Sequence, residues 1–345
     1  MQLPDYIHNE EELEELLSRP SKDLKDFMKG LDGNIMILGA AGKMGVTLAR
    51  LANRAVQETG ARKKIIAIDR FDDKSARNSL EKSGVETIRC DLLNKTEVSM
   101  LPFVPNVIYM AGRKFGTEND QELTWAINVL APDYVAKHFK NSSIVVFSTG
   151  CVYPFVRPAD NGCKENTPPW PVGEYAQSCL GRERVFSYNS KISGTRICIY
   201  RLNYSIDLRY GVLYDIGIKV FQFRPVELAV SHFNCIWQGD ANRLALLCLG
   251  HCNVPPSILN ITGDEIISVK ETAMKFARYF NKEVEFTGEK PNSTMYLSDA
   301  SKSIKLFGKP LISTDRMIEW QARWIAQGGK SLNKPTHFEV TSGHF

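Results

Sequence analysis

Three glycines and one acidic residue have the types and the spacing needed to hold a dinucleotide. An apolar run at 34–38 leads into a glycine-rich loop, and the loop opens into a stretch with helical spacing. Glycines let the backbone approach a pyrophosphate, and unpaired N–H groups at a helix start donate to its oxygens. Asp69 ends the next apolar run, 24 residues after the last glycine, where a carboxylate can accept hydrogen bonds from an adenosine ribose. We therefore predict a nicotinamide dinucleotide site there. Its loop residues are Gly39, Gly42, Lys43, Met44 and Gly45.

The charge of Asp69 favours NAD over NADP, because a carboxylate repels the 2′-phosphate that only NADP carries. Arg70 weakens this argument, since a guanidinium could accept that phosphate, but it could equally lie along the adenine. NAD is therefore the predicted cofactor. The alternative for the whole stretch is a glycine turn that merely connects a strand to a helix.

The elements that position this loop alternate between strands and helices. Apolar runs predict buried strands at 34–38, 64–68, 86–90, 106–112 and 143–147, with helical spacing between them. This alternation predicts an α/β fold, a doubly wound parallel sheet of the Rossmann type with a smaller, interleaved substrate-binding domain. The predicted divisions are a helical extension at 1–33, an NAD-binding domain at 34–203 with a return at 228–262, a substrate-binding domain at 204–227 and 263–330, and a tail at 331–345.

Residues at the carboxyl ends of these strands should meet around the cofactor. Asp91 and Leu92 follow the third strand, where an acid and an apolar residue can flank an adenine, although a simple helix cap is an equal alternative. At the end of the fourth strand, small residues would let the cofactor lie across the sheet. The residues assigned there are Met110, Ala111 and Gly112.

Arg113 and Lys114 form a basic loop directly after this fourth strand. Ligands of parallel sheets bind at such positions, so this pair could clamp an anionic group of the substrate. The alternative is a solvated loop. Both residues are assigned to the substrate site.

Composition excludes several classes of protein. Of the 345 residues, 43% are hydrophobic and 24% charged, which is typical of a globular protein with an ample core. The net charge of +4 is small and its basic residues are scattered, so neither a nucleic-acid nor a membrane partner is predicted. The N-terminus lacks a secretion signal and no apolar run reaches membrane-spanning length, which predicts a cytoplasmic protein. The eight cysteines are predicted to be buried free thiols, and no metal site is expected.

Over about residues 34–327 the chain resembles the extended short-chain dehydrogenase/reductase family, in particular its NAD-dependent epimerase/dehydratase branch. Besides the features above, the resemblance rests on a set of short segments. These are Ser148-Thr149, Val152-Tyr153, Tyr175 with Ser178 and Glu183, Arg201-Leu202-Asn203, Gln238-Gly239-Asp240, Asn260-Ile261-Thr262-Gly263 and Asp299-Ala300-Ser301-Lys302.

The resemblance implies catalytic roles for three positions. Tyr175 matches the tyrosine that serves as acid and base, and Thr149 matches the residue that hydrogen-bonds the reacting hydroxyl of the substrate. The position of the lysine that holds the cofactor ribose carries Cys179 instead. We also assign Asn128 and Tyr175 to the cofactor site, and Asn203 and His232 to the substrate site. A lone histidine beside a strand is more often structural.

Cys179 matters because phenol titrates near pH 10. A base that works at neutrality needs its pKa lowered by about 3, or about 4 kcal/mol, and a neutral thiol supplies no charge for this. Either the site recruits another cation, or it works slowly, or it no longer does chemistry. The candidate cations are Arg113, Lys114 and Lys164.

Two further departures narrow the reaction. Dehydratases of this family carry an acidic pair where this chain has Gly150 and Cys151, so we expect no dehydration by that route. Members that act on nucleotide sugars carry a diphosphate-binding arginine that is missing from 230–234. A smaller carbohydrate or a sugar acid therefore competes with a nucleotide sugar as the substrate.

Together these observations predict an NAD-dependent epimerase or dehydrogenase that acts on a secondary alcohol of a sugar, sugar acid or nucleotide sugar. The alternative is a catalytically degenerate NAD-binding sensor or scaffold, because of Cys179. The resemblance also implies a homodimer that pairs through the helices at 122–139 and 175–188.

Overall fold

A seven-stranded parallel β-sheet forms the centre of the protein. The structure is a computed structural model that describes residues 3–117, 119–290, 293–334 and 336–340. The strands of the whole described chain, in order, are β1 (Ile35–Leu38), β2 (Ile65–Asp69), β3 (Glu86–Arg89), β4 (Asn106–Tyr109), β5 (Ser143–Thr149), β6 (Arg196–Leu202), β7 (Ser205–Ile206), β8 (Val226–Glu227), β9 (His232–Phe233), β10 (Ile236–Trp237), β11 (Ser257–Ile261), β12 (Ile267–Ser268) and β13 (Phe286–Thr287). Seven of them form the central sheet, and the other six form three two-stranded sheets. The central sheet has the order β3-β2-β1-β4-β5-β6-β11, and all its neighbours are parallel. The predicted doubly wound parallel sheet is confirmed.

Helices occupy most of the segments between these strands. In chain order they are α1 (Glu10–Leu17), α2 (Lys22–Gly30), α3 (Gly45–Thr59), α4 (Lys74–Lys82), α5 (Lys95–Ser99), α6 (Gln121–Trp125), α7 (Ala131–His138), α8 (Gly173–Ser193), α9 (Val212–Phe221), α10 (Gln238–Leu247), α11 (Val269–Phe280), α12 (Ser301–Phe307) and α13 (Thr314–Ala326). Within the described ranges, no helix combines the length and the apolar character needed to cross a membrane.

Strand β1 illustrates how the sheet is buried from both sides. Ile35 and Ile37 pack into a hydrophobic cluster with α2, α3 and α10, whereas Met36 and Leu38 pack into another cluster with α7 and α8. Successive side chains of a strand point to opposite faces, so a strand that helices cover on both faces is apolar throughout. That is the pattern that the sequence shows at 34–38.

A third hydrophobic cluster lies outside the sheet. It joins α9, α11 and α13, and it includes Leu13 and Leu17 of α1 as well as Phe338 near the end of the described chain. Helix α2 packs instead on the sheet, through Leu24 and Met28. The N-terminal extension therefore connects the two parts of the molecule.

The C-terminal tail packs on α9. The backbone N–H and hydroxyl of Thr336 both donate to Asp215, at 2.9 and 2.5 Å, and Lys219 forms an ion pair with Glu339 at 2.6 Å. The predicted tail thus contributes to the wall of the second part of the molecule as far as residue 340. Residues 341–345 lie outside the described part.

Two predicted elements differ from those observed. The helix predicted over 122–139 is interrupted, because residues Ala126–Leu130 between α6 and α7 wind as a π-helix, a form that is common at functional sites. Asn128 lies in this π-helical segment and is fully buried. The strand predicted over 106–112 ends at Tyr109, so residues 110–112 form a loop beyond it.

Candidate active site

The glycine-rich loop joins β1 to α3, and its shape requires glycine at two positions. Gly39 has φ +89°, and a β-carbon there would lie 2.6 Å from the backbone nitrogen of Ala111. A β-carbon on Gly45 would lie 2.5 Å from the carbonyl oxygen of Ala40. No side chain fits at either position, so the loop lies tightly against the start of α3 and the loop after β4.

Asp69 braces this loop. Its Oδ2 accepts a hydrogen bond from the backbone N–H of Ala41 at 2.9 Å, and its Oδ1 lies 3.4 Å from the nitrogen of Phe71. The carboxylate is half-buried at the end of β2, so one oxygen holds the loop while the other retains accepting capacity.

A cleft of about 210 Å³ opens above the loop, at the carboxyl ends of β1, β2, β3 and β4. It lies where the strand order reverses between β1 and β4, which is where open α/β sheets bind ligands. Predicted cofactor residues that line it are Gly39, Gly42, Asp69, Arg70, Asp91, Leu92, Met110, Ala111 and Gly112. Lining residues that the sequence analysis missed are Cys90, Leu93, Tyr109, Ile127 and Ala131.

Asp91 and Arg70, two predicted cofactor residues, each have a partner at the cleft. The Oδ1 of Asp91 accepts from the N–H of Leu93 at 2.9 Å, while the cap of α5 is Asn94. Asp91 is therefore a turn residue at the cleft rather than a helix cap. Arg70 forms an exposed ion pair with Asp72 at 2.9 Å, at the edge of the cleft.

Five predicted cofactor residues are not among those that line this cleft, namely Lys43, Met44, Gly45, Asn128 and Tyr175. Asn128 has no exposed surface, because its amide bonds the backbone of Arg113 in both directions, at 2.9 and 3.0 Å. The side chain of Met44 is buried in the hydrophobic cluster beneath α3. The ammonium of Lys43 lies 3.3 Å from the ring centroid of Tyr210.

Tyr175 and Thr149 are brought into contact beside the cleft. Thr149 ends β5, and Tyr175 lies in the first turn of α8, half-buried and hydrogen-bonded to Thr149 and Cys179. Burial raises the pKa of Tyr175 well above its usual range, and the sulfur atoms of Cys179 and Cys151 raise it further. The charge of Arg182 and the hydrogen bond with Thr149 oppose this rise. The environment as a whole favours the neutral phenol.

Lys114 lies near Tyr175, and the charge of Lys43 interacts with that of Lys114. The ammonium of Lys114 is 5.9 Å from the ring centroid of Tyr175, and desolvation lowers the pKa of Lys114 against the opposing effect of nearby acidic groups. Lys43 keeps part of its side chain exposed, yet its ammonium is surrounded closely enough that desolvation lowers its pKa to about 7, with the charge of Lys114 contributing. These two cations repel one another, so an anion between them would be stabilised by both.

No protein-family model matches the sequence, and no curated protein does. UDP-glucuronic acid 4-epimerase from Bacillus cereus, solved with UDP-glucuronic acid and NAD, is 19% identical, with a TM-score of 0.69 over 85% of this chain and 99% of that one. UDP-glucose 4-epimerase from Thermus thermophilus, solved with NAD, is 19% identical, with a TM-score of 0.67 over 84% and 98%. UDP-glucose 4-epimerase from Thermotoga maritima, solved with UDP-glucose, is 15% identical, with a TM-score of 0.68 over 86% and 99%.

This chain has the fold of the UDP-sugar 4-epimerases. The predicted resemblance to extended short-chain dehydrogenases/reductases is thereby confirmed for the fold, across most of the chain. At a sequence identity of 15–19%, this similarity concerns the fold alone. The roles of individual residues have to be argued from the contacts in this chain.

Several residues that the resemblance singled out form one buried network in this epimerase-like fold. Glu183 of α8 accepts from the hydroxyl of Ser148 at 2.5 Å and pairs with Arg201 of β6 at 2.7 Å. Arg201 also donates to the hydroxyl of Tyr153 at 2.7 Å, which in turn donates to Asn260 at 2.8 Å. The network ties α8, which carries Tyr175, to the ends of β5, β6 and β11.

Three of the predicted substrate residues lie away from Tyr175 or are already engaged. Arg113 donates to the carbonyl of Gly116 at 3.1 Å and lies 3.7 Å from the carboxylate of Asp120, within its own loop. Asn203 is buried, with 3% of its surface exposed, and donates to Asn234 at 2.6 Å. His232 lines a separate cleft together with two lysines, and its ring contacts the hydroxyl of Ser231 at 2.9 Å. The other residue of the predicted clamp, Lys114, has its ammonium 5.9 Å from the ring centroid of Tyr175.

The cysteines are free and buried at all eight positions, as predicted. Burial raises the pKa of Cys179 to about 11, so its thiol is neutral at physiological pH. Across the described ranges, no group of three or more potential metal ligands comes together.

Proposed function

We propose that this protein is an NAD-dependent epimerase or dehydrogenase that acts on a secondary alcohol of a carbohydrate. The observation that carries the proposal is the contact between Tyr175 and Thr149, with the ammonium of Lys114 at 5.9 Å from the ring centroid of Tyr175 and Gly112, of the same loop as Lys114, lining the cleft. The neighbours in fold that were solved with NAD and with UDP-sugars support it.

The residues of the cleft fit NAD. The close approach of the backbone at Gly39 and Gly45 places the start of α3 beside the cleft, where a helix N-terminus favours a pyrophosphate, and Asp69 presents a carboxylate oxygen that suits a ribose hydroxyl. Met110 and Ala111 form the neighbouring wall. When bound, NAD would accept a hydride from the carbinol carbon of the substrate and, in an epimerase, return it.

Tyr175 and Thr149 would handle the proton of the reacting hydroxyl. The hydroxyl of Thr149 holds the substrate oxygen beside Tyr175, whose phenol oxygen takes its proton on oxidation and gives it back on reduction. If the oxidised sugar stays bound and is reduced from its other face, the product is an epimer. If it leaves, the product is a ketone.

Lys43 and Lys114 suit a sugar that carries a negative charge. Lys43 and Lys114 both carry lowered pKa values, caused mainly by desolvation, and a carboxylate or phosphate between them would offset their mutual repulsion. We propose that the part of the molecule at 204–227 and 263–330 closes the site from this side, since Tyr210 contacts Lys43. Sugar acids and nucleotide sugars are the two substrate classes with such an anion.

Substitution of Tyr175 tests the proposal. Tyr175→Phe should lower turnover at least about 100-fold for any sugar acid or UDP-sugar that the wild-type protein converts, because it removes the acid and base. Conversion is followed by NMR of the sugar and by absorbance of reduced cofactor. Tyr279→Phe, an exposed tyrosine of α11, is the matched control and should retain full rate. Unchanged turnover in Tyr175→Phe would eliminate the acid/base assignment.

The second candidate is an NAD-binding protein without catalysis, which the neutral thiol at Cys179 and the raised pKa of Tyr175 favour. Mass spectrometry of the small molecules released on denaturation separates the two. Bound NAD together with no conversion of any sugar in the panel supports the second candidate. Conversion that depends on Tyr175 supports the first.

We further propose a homodimer that pairs through α6 to α8. The described part of these helices carries large apolar side chains with 38–62% of their surface exposed, an unusual load for a free surface. They are Trp125, Leu130, Tyr188 and Ile192. Sedimentation velocity should give twice the chain mass, and Tyr188→Glu should shift the protein towards the monomer.

The eight free thiols fit the proposed cytoplasmic location, since reducing compartments keep thiols unpaired. A fluorescent fusion observed in the source cell tests the location directly. Accumulation outside the cytoplasm would contradict it.

A further inference from the structure

Arg182 is a buried cation that forms no ion pair with the described residues. It lies on α8 with 5% of its surface exposed, and its two terminal nitrogens donate to the carbonyl oxygen of Phe147 at 2.9 Å and to Oδ1 of Asn128 at 2.6 Å. Its Nε has no hydrogen-bond partner, and none of the described carboxylates forms an ion pair with it. A buried charge held only by neutral oxygens is costly in free energy.

Arg182 shares a helix face with the predicted catalytic residues. It follows Tyr175 by seven residues and Cys179 by three, spacings that place all three on one side of α8. Long side chains on a helix point towards its N-terminus, so the guanidinium reaches back towards Cys179 and Tyr175. Asn128 contacts α8 at two places, because besides binding Arg182 its amide donates to the hydroxyl of Ser178 at 2.9 Å.

The guanidinium also lies directly beneath the cleft. A β-carbon built on Gly112 would be 2.5 Å from the terminal nitrogen of Arg182 that binds Asn128. Only a glycine in the loop after β4 leaves room for the cation, which therefore sits under the floor of the cleft at Gly112.

We propose that Arg182 supplies the positive charge that position 179 lacks, and that it stabilises the phenolate of Tyr175 from beneath the cleft. Arg182 is a positioning residue, since it acts through Tyr175 and does not touch the substrate. The inference rests on the role proposed above for Tyr175.

Arg182 suits the stabilisation of a phenolate at Tyr175 better than Lys43 or Lys114. Desolvation lowers the pKa of Lys43 to about 7 and also lowers the pKa of Lys114, so both lose charge under the alkaline conditions that favour a phenolate. A guanidinium stays charged throughout that range. The charge of Arg182 already opposes the effect of burial on the pKa of Tyr175.

The proposal is tested with a fluorinated tyrosine at position 175 of the full-length protein. Such a phenol titrates well below pH 10, and ¹⁹F NMR follows this one side chain without any substrate. Arg182→Met should raise its pKa by about 1 or more. Arg184→Met, an exposed arginine on the same helix, should leave it unchanged. Arg182→Gln, which keeps a donor for Asn128 without the charge, must show the same rise if the methionine variant does not fold.

A rescue distinguishes charge from packing. Adding Cys179→Lys to Arg182→Met returns a cation to the same helix face and should bring the pKa back down. A titration that is the same in the wild type and in both uncharged variants overturns the inference. Because the NMR titration needs no turnover, a shifted pKa in a protein that converts no sugar refutes the proposed function and leaves the role of Arg182 intact.

Discussion

Asp69 offers a test of cofactor selection that leaves the fold undisturbed. Its Oδ2 accepts from the N–H of Ala41 at 2.9 Å, and an asparagine oxygen can accept the same bond, so Asp69→Asn removes the charge and keeps the loop. A hydrogen bond to a charged acceptor contributes about 1.5–3 kcal/mol and one to a neutral acceptor about 0.5–1.5 kcal/mol. The substitution should therefore weaken NAD binding by about 1.4 kcal/mol, or about tenfold.

The same change should improve the binding of NADP. At a separation of about 6 Å and an effective dielectric constant of about 20, a carboxylate repels each unit of phosphate charge by about 3 kcal/mol, and solvent screening at this half-buried position reduces that to about 2 kcal/mol. Removal of the repulsion corresponds to about 30-fold tighter NADP. The preference for NAD over NADP should thus fall about 300-fold in Asp69→Asn.

Isothermal titration calorimetry with both dinucleotides measures this ratio. Asp72→Asn is the control, since it removes a charge from the same exposed loop, where Asp72 pairs with Arg70 at 2.9 Å, and it should change the ratio less than about twofold. Equal effects of the two substitutions, or no change in Asp69→Asn, would show that Asp69 does not read the adenosine ribose.

Two further predictions concern stability and pH. Glu183→Gln leaves the buried charge of Arg201 unpaired, at a cost of about 3–5 kcal/mol, and should lower the melting temperature by about 4–7 °C for a chain of 345 residues. The control is Asp160→Asn at an exposed ion pair, for which scanning calorimetry should find a shift below about 1 °C. Equal shifts in the two variants would mean that the buried network does not stabilise the fold. Desolvation lowers the pKa of Lys43 to about 7, so an anionic sugar that binds the charged form of Lys43 should bind more weakly as the pH rises from about 6 to 8. The Lys43→Arg variant should bind the sugar with the same affinity over that range, because a guanidinium stays charged. Identical pH profiles of the two proteins in calorimetric titrations would exclude Lys43 from the anion site.

The lining of the cleft could be predicted from the sequence because its signals are local. Parallel strands buried on both faces are apolar throughout, as in β1, and the glycines of the loop are required by contacts within a few residues of a strand end. The order of strands in a doubly wound sheet then brings the segments after β1, β2, β3 and β4 to one edge. Nine of the assigned cofactor residues line the cleft for this reason.

Side-chain direction was not predictable in the same way. Lys43 lies in the loop as expected, yet its ammonium packs on the ring of Tyr210, far along the chain. Asn128 has helical spacing in the sequence, but a π-helical segment carries it, and its amide serves Arg113, Ser178 and Arg182 rather than a ligand. Each depends on partners that only the folded chain brings within hydrogen-bonding or van der Waals distance.

By itself, then, the sequence determined the parallel sheet, the glycine-rich loop and the position of Asp69 at the end of the neighbouring strand, because periodicity and turn chemistry are written in neighbouring residues. It also revealed that position 179 lacks a cation. Only the tertiary structure decided where a cation is found instead. The guanidinium of Arg182 gains its significance from burial, from Asn128 and from the absence of a β-carbon at Gly112, and these come from segments that meet only when β4, α8 and the π-helical turn pack together.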